Sequence, residues 1–119
     1  MTDLHHATGP VVVRLPAEID MDNAERVGEQ LCSAFTRGAA VVIADLTPTA
    51  FCDSAGTRQL LLAHHYAGAC DAQIRFVIPG RSVLRVLTLT GLDQLLPIYP
   101  SLDAAVSAGP APDEDAASG

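Results

Sequence analysis

The hydrophobic positions of this chain keep two rhythms, and the switches between them predict its elements. Val11-Val12-Val13-Arg14-Leu15 is a β-branched run closed by Pro16, the pattern of a strand. The stretch from about Thr2 to Ala7, set off by Gly9-Pro10, is a candidate antiparallel partner for it. Ala24, Val27, Leu31, Ala34 and Phe35 then recur at helical spacing. Asp22-Asn23-Ala24-Glu25 has the form of a capping box at the start of that helix, and Arg37-Gly38 supplies a glycine stop. Ala39 to Leu46 is apolar almost throughout, as in a strand covered on both faces.

After a loop from Thr47 to Cys52, Asp53-Ser54-Ala55-Gly56 offers capping oxygens ahead of Leu60, Leu61, His64, Ala67 and Cys70, a second helical face. Gln73 to Ile78 reads as a strand again and ends at Pro79-Gly80. Ser82 is a candidate cap for a third helix carrying Val83, Leu84 and Leu87, which stops at Gly91. Leu95 to Tyr99 predicts a short edge strand, because Pro97 cannot donate to a ladder. Ser101 to Val106 predicts a short last helix.

This alternation implies an α/β domain over residues 1–107. Its sheet is mixed and mostly parallel, with four or five strands, a hairpin entry and about four helices. Residues 108–119 are small, Pro-bearing and acidic, a composition expected of a disordered tail.

Charge and composition narrow the function. With 14 acidic and 7 basic side chains the formal charge is −7, which argues against a protein that tracks nucleic-acid phosphates. Every basic residue is an arginine, so the lysine of a P-loop and any Schiff-base chemistry are excluded. No apolar run approaches the length of a membrane span, and Met1 to His6 lacks the basic and apolar regions of a signal peptide. Cys32, Cys52 and Cys70 include no Cys-x-x-Cys pair and read as buried, reduced thiols of a cytoplasmic protein.

Functional loops of open parallel sheets gather at the carboxyl ends of the strands. Glu18-Ile19-Asp20 and Asp53-Ser54-Ala55-Gly56 both fall there, each ahead of a helix. Ordinary helix capping accounts for Asp20, Asp53 and Ser54 at the simplest level. The second segment also presents a serine hydroxyl beside a glycine at a helix start, where free amides and the dipole favour an anion such as phosphate. A nucleophilic serine would need a base in reach, and no Gly-x-Ser-x-Gly elbow is present. His64 and His65 lie roughly 15 Å further along the helix at 1.5 Å per residue. Neither His5-His6 nor His64-His65 forms a ready metal clamp, because adjacent side chains diverge. Arg81 and Arg85, one turn apart, read as solvated charge.

Taken in order, these segments resemble the STAS domain, and within it the small anti-sigma factor antagonists of bacteria. The matching residues are Val11 to Leu15, the turn Ala17-Glu18-Ile19-Asp20, the helix from about Asn23, the strand Ala40 to Leu46 and Phe51-Cys52-Asp53-Ser54-Ala55-Gly56. Val83 to Leu92, with its Thr90-Gly91-Leu92 end, matches a third helix of the family, and the resemblance spans about residues 8–107.

The resemblance implies a non-enzymatic switch in transcription regulation. Its unphosphorylated form binds an anti-sigma factor that is also a serine kinase, and so releases the sigma factor; a metal-dependent phosphatase restores that form. It places the acceptor at Ser54, gives Asp53 the shaping of the loop, and lays Glu18, Asp20, Ala55, Gly56, Thr57 and Arg58 around it as a docking surface. No cofactor is implied. Two departures mark this chain. Ala17 stands where the family has glycine, and Thr57-Arg58-Gln59 replaces small or apolar residues, bringing a charge and a second hydroxyl to the docking face. A STAS scaffold or small-ligand (nucleotide) sensor without a phosphorylation cycle is the alternative, and a serine hydrolase the third reading.

Overall fold

Three apolar runs become neighbouring strands of one parallel sheet. The computed structural model describes residues 9–109. Strands β1 (Val11–Arg14), β3 (Val41–Asp45), β5 (Gln73–Val77) and β6 (Ile98–Tyr99) lie in the order β1-β3-β5-β6, all parallel. Val13 sits beside Ala44, Ala44 beside Phe76 and Phe76 beside Ile98. A separate parallel pair is made by β2 (Glu18–Ile19) and β4 (Phe51–Cys52).

Helices α1 (Ala24–Thr36), α2 (Ser54–Ala69) and α3 (Arg81–Thr90) connect these strands, and α4 (Leu102–Ser107) follows β6. Each crossover moves one strand in the same direction. Right-handed connections therefore put α1, α2 and α3 on one face of the sheet. Their residues Val27, Leu31, Phe35, Leu60, Ala63, Val83 and Leu87 close the main core with Val13, Val42, Ala44, Ile74 and Phe76. The alternate strand residues Ile43 and Val77 point the other way and pack with Ala105 of α4, beside Tyr99 and Leu102.

Arg75 anchors that second face. It is 5% exposed. Its Nη1 donates to the Ala105 carbonyl at 2.8 Å, and its Nη2 donates to the Gly109 carbonyl at 2.7 Å and to Gln73 Oε1 at 3.2 Å. The guanidinium thus takes up a carbonyl at the end of α4 that the helix leaves without a partner.

The family-type α/β sheet and the four helices are as expected, with three local corrections. The capping box at Asp22 does not form. Asn23 is the cap residue of α1, but its side chain is occupied elsewhere: Oδ1 accepts from Asp20 N at 2.9 Å, and Nδ2 donates to the Glu18 carbonyl at 2.8 Å. Ser82 lies inside α3 rather than capping it, and its hydroxyl donates to the Ala50 carbonyl at 3.1 Å. Cys70 is exposed at the end of α2, so the expectation of three buried thiols holds fully only for Cys52. Gly91 ends α3 in a left-handed conformation at φ 81°, as its position predicts. The hairpin partner placed at Thr2 to Ala7 and most of the tail lie outside the described residues.

Candidate functional site

The small β2–β4 pair is what positions the Ser54 segment. Thr49, buried, donates its hydroxyl to the Pro16 carbonyl at 2.7 Å, and Ala50 N donates to the Ala17 carbonyl at 2.8 Å. Glu18 and Ile19 then run beside Phe51 and Cys52, and Asp53 N donates to the Ile19 carbonyl at 3.0 Å. The chain is thereby aimed into α2 by four consecutive residues of the earlier turn, Pro16 to Ile19.

Asp53 is the N-cap of α2. Its Oδ1 accepts from Gly56 N at 3.0 Å, satisfying one of the free amides of the first turn. Gly56 is required there by space. A Cβ at that position would lie 2.6 Å from Cys52 Sγ and 2.7 Å from Ile19 Cγ2, well inside contact distance. The absence of a side chain lets the first turn of α2 settle directly on the β2–β4 pair.

Ser54, the first residue of α2, faces solvent. Its hydroxyl makes no hydrogen bond among the described residues, and its carbonyl accepts from Thr57 Oγ1 at 3.0 Å. Thr57 departs from its expected place on the surface. It is 4% exposed, because it sits on the inward side of the first turn, and its hydroxyl is spent on that carbonyl. Gly56 is buried as well and Ala55 half-buried. Glu18 and Arg58 are exposed, while Asp20 and Asp53 are half-buried. Asp20 Oδ1 accepts from Asp22 N at 3.0 Å, which shapes the loop entering α1.

The structure therefore brings Glu18, Asp20, Asp53 and Ser54 to one end of the sheet, with Arg58 one turn along α2. It adds two residues that the sequence reading passed over. Met21 is 77% exposed in the β2–α1 loop, and Phe51, beside Glu18, is 51% exposed. The available signal was an apolar side chain inside each of two segments otherwise rich in Asp, Thr and Pro. Aromatic and methionine side chains are types enriched in protein interfaces, and here two of them are exposed at the end of the sheet that carries the carboxylates.

Below this surface the Cys52 thiol is pushed up to about 12 by burial first and by the Asp53 carboxylate second. It stays protonated and packs as a small apolar group. The imidazoles do not approach Ser54. His64 and His65 lie toward the other end of α2 with ring centroids 6.0 Å apart, and burial, followed by His65, holds His64 below its ordinary value. They line an open groove of about 970 Å³ with Arg75, Leu95 and Tyr99. No helix among the described residues is long and apolar enough to cross a membrane.

Comparison with known proteins gives this arrangement its relatives. An anti-sigma factor antagonist from Mycobacterium paratuberculosis superposes with a TM-score of 0.75 at 29% identity, covering 85% of this chain and 88% of that one. The anti-sigma factor antagonist SpoIIAA in its unphosphorylated form gives a TM-score of 0.68 at 20% identity over 92% of this chain and 90% of that one. The Bacillus cell fate determinant SpoIIAA in the phosphorylated form gives 0.61 at 21% identity over 82% and 88%. A comparison with curated protein sequences returns no match. The family model for the STAS domain matches residues 1–105, and so the chain belongs to the STAS domain family.

Proposed function

We propose that this protein is an anti-sigma factor antagonist of the bacterial cytoplasm, a binding module and not an enzyme, switched by phosphorylation of Ser54. The observation that carries the reading is the exposed, unengaged hydroxyl of Ser54 at the first position of α2, beside Asp53 and the solvent-facing Met21 and Phe51. The 29% identical relative from M. paratuberculosis supports the role of antagonist. The partners are an anti-sigma factor with serine kinase activity and a metal-dependent serine phosphatase.

Phosphate on Ser54 adds about −1.5 to −2 charges next to Asp53 and near Asp20 and Glu18. The start of a helix tolerates that charge inside the folded domain, so the modification leaves the fold intact. A docked partner would instead meet a desolvated anion flanked by carboxylates, which is costly. A loss of about 4 kcal/mol lowers affinity roughly a thousandfold, enough for a binary switch. Thr57 takes no part, because its hydroxyl is buried and hydrogen-bonded.

The test is phosphopeptide mapping after incubation with Mg-ATP and a lysate of the cells the protein comes from. Phosphate is expected on Ser54, and the Ser54→Ala variant then serves to capture the kinase. Ser54→Ala is expected to bind that partner constitutively and Ser54→Glu roughly a thousandfold more weakly. Equal affinities by titration calorimetry would overturn the mechanism.

A further inference from the structure

Helix α2 carries an arginine one turn beyond the acceptor serine. Arg58 follows Ser54 by four residues, and both are exposed, whereas Gly56 and Thr57 between them face inward. Residues four apart on a helix are neighbours on its surface, with Cβ atoms about 5–6 Å apart. Helical Cα–Cβ bonds tilt toward the N-terminus, so a long side chain at the later position leans back over the earlier one.

Nothing near Arg58 competes for its charge. Among the described residues the one ion pair joins Arg14 to Asp45, which leaves the Arg58 guanidinium without a carboxylate. From Ser54 to Ala69 the helix has no aspartate or glutamate, and Arg58 is its one arginine. The α1 acids Glu25 and Glu29 line a groove with Gln59 and Leu62, and Arg58 is not part of its wall.

The other charges at this end of the sheet come from neighbouring segments. Glu18, Asp20 and Asp22 lie on β2 and the loop after it, and Asp53 is tied to Gly56 N at 3.0 Å. The one rival cation is on α3. The Ser82 hydroxyl donates to the Ala50 carbonyl, which brings exposed Arg81 alongside β4, with Arg85 a turn further off. Arg81 shares no helix face with Ser54, and Arg58 does.

We infer that Arg58 is the internal counter-ion of a phosphate on Ser54. Guanidinium donors that are open in the unmodified chain then close on the phosphate oxygens in charge-assisted hydrogen bonds. An anion one turn ahead of a cation is also the favourable order along a helix. Phosphorylation thus alters the docking face twice, adding an anion and withdrawing a cation from any partner. This inference rests on Ser54 being the acceptor.

The test encodes phosphoserine at position 54 of the full chain, so it needs no kinase, and follows the phosphorus resonance between pH 5 and 8. A nearby cation favours the dianion. The second ionisation of the phosphate, ordinarily near 6, is therefore expected about 0.5 lower in the native background than in Arg58→Gln. In 1 M sodium chloride the two should converge, because an exposed pair is screened. Arg81→Gln should titrate like the native background. Equal midpoints in the native background and Arg58→Gln at low salt overturn the proposal. So does a midpoint that moves in Arg81→Gln and not in Arg58→Gln, which would assign the phosphate to α3. A failure of the acceptor assignment shows separately, as an unmodified Ser54 in the phosphopeptide map.

Discussion

The two ends of α2 carry a glycine each, and the two are held in opposite ways. At the first turn Gly56 is locked between Ile19 and Cys52, the Asp53 carboxylate closes the helix, and the chain before it is tied to β2. At the last turn a Cβ on Gly68 would meet nothing within 4 Å, Cys70 is exposed, and Asp71 turns the chain out at φ 57°. One end is fixed and so presents Ser54 in a single position. The other borders the open groove and has free space around Gly68. Helix α2 is thus a tightly packed mount at one pole and an open wall at the other.

The largest expected effect comes from breaking the lock. Gly56→Ala forces a methyl into Cys52 and Ile19 and is expected to cost about 2–3 kcal/mol in urea unfolding. Asp53→Ala removes the cap and is expected to cost about 1 kcal/mol by the same measurement. Gly68→Ala, the same chemical change at the open end, is expected to stabilise by roughly 0.5 kcal/mol, because the helix gains propensity without a clash. Equal costs at positions 56 and 68 would abolish the contrast.

At neutral pH the smallest effect concerns protons, because it emerges only above pH 9. Cys52 in the fold titrates at about 12 against an ordinary 9.0, so between those values the folded chain keeps a proton that the unfolded chain has lost. Its contribution is complete below pH 9 and falls as the pH rises toward 12. Stability measured from pH 8 to 11 should decline less steeply in Cys52→Ala. In the native chain, alkylation at pH 8 should modify the exposed Cys70 and spare Cys52 until the protein is unfolded.

The sequence was legible wherever a local rule acted alone. Val27, Leu31 and Phe35 announced α1, and Gly91 announced the end of α3, since periodicity and a left-handed stop depend on neighbours in the chain. Asp53 and Ser54 were legible as the start of α2 for the same reason. Reading failed where a long-range partner decided. Ser82 turns to Ala50, 32 residues away in sequence; the box placed on Asp22 failed for a local reason instead, since the cap position falls on Asn23, whose side chain ties back to Glu18 five residues earlier. Phe51–Cys52 pairs as a strand only because Glu18–Ile19 lies beside it, which no two-residue window reveals. Thr57 was assigned to the surface from its neighbours in the motif, whereas helix phase turns it inward.

The Ile19–Cys52–Gly56 contact also has a meaning for descent. Three residues from three segments share one small volume, so none can grow unless another shrinks. A lineage that reshapes the ground beneath Ser54 must therefore change a turn more than thirty residues upstream in the same stroke. Growth at any one of the three positions is closed off without a matching loss at another, and the mounting of the serine is constrained as one packed unit.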